Sequence, residues 1–189
     1  MTEPTTSGEP HATPAPDARA AARRLRDGLA ALSVIDTVAV GVIVGLLVWI
    51  DRVAAPHQAP FLVASFASSV IILFALPDLD IARSWSVIGG QLLGGLAGLL
   101  CGTLVPGPVG VVAGCAVALS FVAMRLAHAV HPPGGATALV VAVQPHNQTI
   151  HFLVFPILAG SVTIVVFAWA VHLLDRYVLT RFTRRDRRS

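Results

Sequence analysis

Apolar residues in this chain come in long unbroken blocks, with the polar positions confined to the gaps between them. Six blocks stand out: Val34 to Ile50, Pro60 to Leu76, Val87 to Val105, Val109 to Ala127, Gly134 to Val143 and Phe152 to Leu174. A helix needs about 20 residues to cross a hydrocarbon core ~30 Å thick. Five blocks approach that length. The fifth would rise only about 15 Å at 1.5 Å per residue, half the core. The pattern predicts an all-α polytopic membrane protein with four to six membrane segments, the fifth a half-helix.

Composition agrees. Hydrophobic residues make up 55% of the 189 and charged residues 12%, with a mean hydropathy of +0.77, well below the charged fraction usual in soluble domains. Residues 1–17 are rich in Pro, Thr, Ala and Glu and are expected to form a disordered tail. That stretch has neither the charged start nor the apolar core of a signal peptide. Residues 18–33 read as a basic amphipathic lead-in helix with Leu25, Leu29 and Leu32 on one face. The membrane domain is expected over residues 34–175, followed by a basic tail at 176–189. Arg19, Arg23, Arg24 and Arg26 precede the first block, and Arg176, Arg181, Arg184, Arg185, Arg187 and Arg188 follow the last. Arginines flanking membrane spans stay on the cytoplasmic side, so both ends are expected there. No aromatic residues interleave these arginines, and no nucleic-acid partner is expected.

The break before the fifth block carries the most chemistry. HAVHPPGGAT, His128 to Thr137, places two prolines and two glycines inside otherwise apolar sequence. Pro133 suits the first turn of a helix, while Pro132 and the residue before it favour extended backbone. A helix starting at membrane depth with Gly134, Gly135, Ala136 and Thr137 would turn its amides and positive dipole end inward, and glycines would admit a ligand close to the backbone. That is the chemistry of a small-anion site.

Shifting the chain by 68 residues aligns Pro77 with Pro145 and lays Ser65 to Pro77 over Pro133 to Pro145. Ser69 then falls on Thr137, and the third block meets the sixth. Two repeats of three segments follow, about residues 34–105 and 109–174. Small and apolar residues dominate membrane segments, so chance similarity is the competing explanation. Odd-numbered repeats must be inverted across the membrane, and broken helices at that depth are tolerated only where protein or a water-filled cavity satisfies them. Ser65, Ser68 and Ser69 would face the same site from the pseudo-symmetric direction. Six full crossings, or four with the second and fifth segments re-entrant, both leave the two ends on one side.

Arg125 and His128 stand three apart on the end of the fourth block, and His131 follows. Arginine inside a membrane is costly and needs an anion, a carboxylate or an escape to the headgroups. Each residue has a plainer alternative: snorkelling for Arg125, interfacial packing for His128, and for His131 a structural hydrogen bond instead of a ligand or proton-relay role. Asp36 is expected to pair with an arginine or reach the interface. Cys101 and Cys115 lie in apolar runs without a CxxC or Cys/His cluster and read as buried small side chains. No GxSxG, HExxH or comparable motif occurs, so neither catalysis, a metal nor a cofactor is expected.

Three ordered motifs carry a family resemblance. VHPPGGATALV, Val130 to Val140, resembles the signature of the HPP family of integral membrane proteins, named for that His-Pro-Pro. PFLVASFASSVIIL, Pro60 to Leu73, resembles the family's first block, where Gly commonly replaces Ala67. VIGGQLLGG, Val87 to Gly95, resembles its middle block, in which the position of Gln91 is commonly a polar His, Asn or Gln. Arg83 and Trp85 match that block's usual QPRN lead only loosely. The resemblance covers about Asp36 to Leu174. It implies four membrane-spanning helices, and plastid and cyanobacterial members are associated with nitrite transport. Some members carry nucleotide-binding-type domains after the membrane part; this chain, ending at Ser189, is expected to carry none. A bacterial member would lie in the plasma membrane.

The resulting expectation is a homo-oligomeric bilayer transporter of a small inorganic anion, nitrite first. An anion channel and a non-transporting scaffold or sensor are the alternatives.

Overall fold

A computed structural model describes residues 34–54, 60–144 and 149–186. The expected tail and lead-in helix, together with His57 and His146, lie outside the described residues. Every regular element among those described is helical: α1 (Val34–Ala54), α2 (Pro60–Ala75), a 3₁₀ turn (Asp80–Ala82), α3 (Ser84–Leu104), α4 (Val109–Leu126), α5 (Pro132–Val143), α6 (Ile150–Phe152), a π-helical stretch (Leu153–Ala159) and α7 (Gly160–Asp186). The last three run on as one helical segment. Among the described residues, three stretches are long and apolar enough to span a membrane: Ser84–Leu104, Val109–Leu126 and Ile150–Leu174. Shorter apolar helices, Ile35–Trp49, Val63–Ala75 and Pro132–Val143, fill the rest.

Boundaries differ from the apolar blocks where polar residues extend a helix. α1 continues past Ile50 through Asp51 and Arg52 to Ala54. α3 begins at Ser84 instead of Val87. α5 takes both prolines into its first turn, so it starts two residues before Gly134, and the extended residue is His131, at φ −142° and ψ 101°. Pro132 and Pro133 occupy positions whose amides have no intrahelical acceptor, so the helix loses nothing by including them. α7 carries on to Asp186, through most of the stretch expected to be a tail. Pro156 lies inside the π-helical stretch. Its missing N–H removes one i→i−4 bond, and the widened turns absorb that loss.

α3 is the central element. It packs against α4, α5 and α7, while α5 also touches α2 and α4. One apolar cluster joins Ile43 and Leu47 of α1, Phe66, Val70 and Leu73 of α2, Val87 of α3, Val141 of α5 and Ile164 of α7. A smaller one gathers Cys101, Val112, Ala116, Ala138 and Ala142. Large apolar side chains such as Val38, Trp49, Phe121 and Trp169 point outward, which suits a surface solvated by lipid tails.

α4 buries a single stripe, Val112, Ala116, Ser120 and Met124, at i, i+4 spacing. Cys115 lies off that stripe and is exposed, contrary to the expectation of burial; Cys101 is buried, and both thiols are free.

Candidate functional site

The break between α4 and α5 is built by a helix terminator. Ala129 N–H donates to the Met124 carbonyl at 2.9 Å, and His128 N–H reaches the Arg125 carbonyl at 3.4 Å. These are the two bonds of a Schellman motif, in which the residue after the cap adopts left-handed backbone. His128 holds that place, with φ +51°. The indole N–H of Trp85, at the start of α3, donates to the Ala127 carbonyl at 3.1 Å and ties the turn to its neighbour.

From there the chain runs extended through His131 and enters α5. Neither Pro132 nor Pro133 has an amide hydrogen, and Gly134 donates its own to the His131 carbonyl at 2.9 Å. The first three residues of this helix therefore offer no free amide, and donors at this end must come from side chains.

Glycines bring α5 onto α3. A Cβ on Gly94 would overlap the Gly134 carbonyl, and one on Gly134 would overlap the Gly90 carbonyl. Gly98 meets the Ala138 carbonyl oxygen in the same way, at 2.5 Å. Residues 90, 94 and 98 repeat every fourth position and share one face. The glycine stripe of the third block is thus spent within the chain. Gly135 differs from Gly134: its nearest neighbour would be Val117 at 3.9 Å, an ordinary contact.

This close approach lets the Gln91 side chain reach α2 and α5 at once. Its amide nitrogen donates to the hydroxyls of Ser65 at 3.1 Å and Ser69 at 3.0 Å. Its amide oxygen accepts from the Thr137 hydroxyl. Ser65 Oγ lies 2.7 Å from the Pro133 carbonyl and 2.9 Å from Thr137 Oγ1. Ser69 Oγ lies 2.8 Å from His131 Nε2, and His131 Nδ1 lies 2.8 Å from the Ile81 carbonyl in the 3₁₀ turn. Ser65, Ser69, Gln91, His131 and Thr137 are all buried. Gln91 sits seven residues into α3, about 10 Å along its axis, so the cluster lies well inside the bundle.

The structure thus assembles Ser65, Ser69, His131 and Thr137, with Pro133 contributing its carbonyl, and leaves other candidates apart. Ser68 turns back onto the Ser65 carbonyl at 2.8 Å. Arg125, His128 and Ala136 are exposed, and Gly135 is half-buried. Gly134 serves helix contact, and Pro132 opens the helix with its side chain exposed. Gln91, absent from the candidate set, is the hub. A lone amide in a glycine-rich apolar helix was its signal. Among the described residues no group of three or more metal-binding side chains occurs.

The HPP transmembrane region matches residues 28–178 of the chain. The chain belongs to this family. Two proteins of Dictyostelium discoideum, each named only as a transmembrane protein, are similar to it. One is 33% identical over 130 residues, covering 66% of this chain and 46% of its own length. The other is 28% identical over 130 residues, covering 66% and 42%. This HPP chain therefore spans less than half the length of the relatives it matches. No solved structure matches it.

Proposed function

We propose that this HPP protein is a membrane transporter of a small monovalent anion, with nitrite the first candidate and no catalytic activity. The buried cluster carries the reading. Its side chains present hydroxyl and amide hydrogens and one imidazole nitrogen, and among the described residues no carboxylate appears in these hydrogen bonds. Neutral donors suit a singly charged, modestly hydrated anion, whereas a buried cation would call for carboxylates; the Pro133 carbonyl and the Gln91 amide oxygen are already engaged by hydroxyls. Helix-dipole binding by free amides is set aside in favour of these side chains.

In this reading α2 and α5 are the pseudo-equivalent short helices of two inverted repeats. Ser65 and Pro133, and likewise Ser69 and Thr137, correspond under the 68-residue shift, and both pairs belong to the cluster. The anion takes over hydrogen bonds that the cluster now makes to itself, as one repeat moves against the other. Both chain ends face the cytoplasm of a plasma membrane. Carrier behaviour is favoured over a standing channel because backbone meets backbone at Gly94 and Gly134. Association into a homo-oligomer would use faces left open among the described residues, such as those at Gly41, Gly45, Gly110 and Gly114.

The test is flux into proteoliposomes, comparing nitrite, nitrate, formate and chloride. Saturable, nitrite-preferring flux that falls at least tenfold in Ser65→Ala and Thr137→Val supports the site. Absence of flux for every anion in folded, reconstituted protein overturns it.

A further inference from the structure

Resting on the proposed transport reading, the chemistry of the site turns on His131, both of whose ring nitrogens have partners. A carbonyl can only accept, so the 2.8 Å contact of His131 Nδ1 with the Ile81 carbonyl requires the hydrogen of a neutral ring to sit on Nδ1. Nε2 is then an acceptor, and the Ser69 hydroxyl must donate to it across 2.8 Å. Ser69 Oγ has a second acceptor within reach, the Ser65 carbonyl at 3.0 Å. One hydroxyl hydrogen faces two acceptors.

We infer that His131 takes up a proton at Nε2 together with each transported anion, making the protein a proton–anion symporter. The proton comes from water on one side of the membrane and leaves to water on the other, and the cluster rearranges around it. The incoming proton binds Nε2, which becomes a donor to Ser69 Oγ. The Ser69 hydroxyl rotates its hydrogen onto the Ser65 carbonyl, and no bond to carbon changes. Release of the proton reverses both movements.

Coupling follows from burial. His131 is fully buried, at 0% exposure, and its hydrogen-bond partners are uncharged. An imidazolium without a counter-charge is unfavourable there, and so is an anion without a cation. Together each supplies what the other lacks. The charged and titratable groups on surrounding elements do not take that part. Asp80 and Arg83, flanking Ile81, pair with each other at 2.9 Å on an exposed surface. Asp78 is exposed beside them, and Arg125 and His128 are exposed at the end of α4. Cys101 lies further along α3, Cys115 is exposed on α4, and His172 of α7 packs its ring edge-on to Phe74. α2 and α5 contribute no charged residue.

The experiment uses proteoliposomes loaded with a pH-reporting dye, with protein-free vesicles subtracted to remove leakage of nitrous acid. With the exterior acidified, native protein should accumulate nitrite by about tenfold per pH unit at one proton per anion. The lumen should acidify in proportion, and the flux should not respond to an imposed membrane potential. In His131→Gln whatever flux remains should move no protons. Independently of turnover, native protein in weakly buffered detergent should take up one proton per nitrite bound, and His131→Gln none. Downhill nitrite flux without proton movement overturns the symport while leaving the transport reading intact. An unchanged proton ratio in His131→Gln overturns the assignment to that residue. Absence of all anion flux removes both readings.

Discussion

The Ser65 hydroxyl lies 2.7 Å from the Pro133 carbonyl oxygen, and 68 residues of chain separate them. It is the tightest link between α2 and α5 at the bundle centre, with a hydroxyl on one side and the first turn of a short helix on the other. Removing that hydroxyl deprives the carbonyl, Thr137 and the Gln91 amide of a shared partner. Ser65→Ala should therefore cost about 1–3 kcal/mol of stability, the usual penalty for stranding buried polar groups. Thermal unfolding of the purified protein in detergent reads this, and a change below the lower figure would show the contact to be incidental.

Adjacent glycines make opposite predictions for one chemical change. Gly134→Ala forces a methyl into the Gly90 carbonyl and should destabilise by about 1–3 kcal/mol. Gly135→Ala finds ordinary contact space and should be neutral or gain up to about 1 kcal/mol from helix propensity. Parallel melting curves of the two variants separate them. Equal effects would refute the close approach of α3 and α5.

His128 occupies a left-handed position at φ +51° that costs a residue with a Cβ about 1–2 kcal/mol. His128→Gly should raise the thermal midpoint and leave anion flux unchanged. Loss of flux would return this exposed side chain to the transport pathway.

Arg125 is exposed near the end of α4 and touches none of the cluster's hydrogen-bonding groups. Arg125→Ala should change the half-saturating nitrite concentration by less than about twofold, within the ~0.4 kcal/mol that such a ratio represents. A tenfold rise would show that the guanidinium reaches the anion.

The helices were legible because blocks of apolar residues and bracketing prolines act locally. The break at His131–Pro132–Pro133 and the short α5 follow from backbone rules alone. What could not be read was direction. Arg125 and His131 stand six apart around a turn, and only the Schellman geometry decides that one points outward and the other inward. Gln91 escaped the candidate set because its importance depends on three partners drawn from two other helices. That the glycine face of α3 receives α5 of the same chain is a matter of tertiary contact. The 68-residue correspondence is a match of pattern and spacing among small and apolar residues, and such residues fill membrane segments in any case.

Where Gly94 abuts Gly134 there are no side chains to swing aside. A gate lined by long side chains can flicker open by rotamer changes within nanoseconds, but two peptide planes in contact part only when a whole helix is displaced, a motion of microseconds to milliseconds. In the transport cycle proposed above, the pair would act less like a valve than like an escapement, releasing one load per stroke.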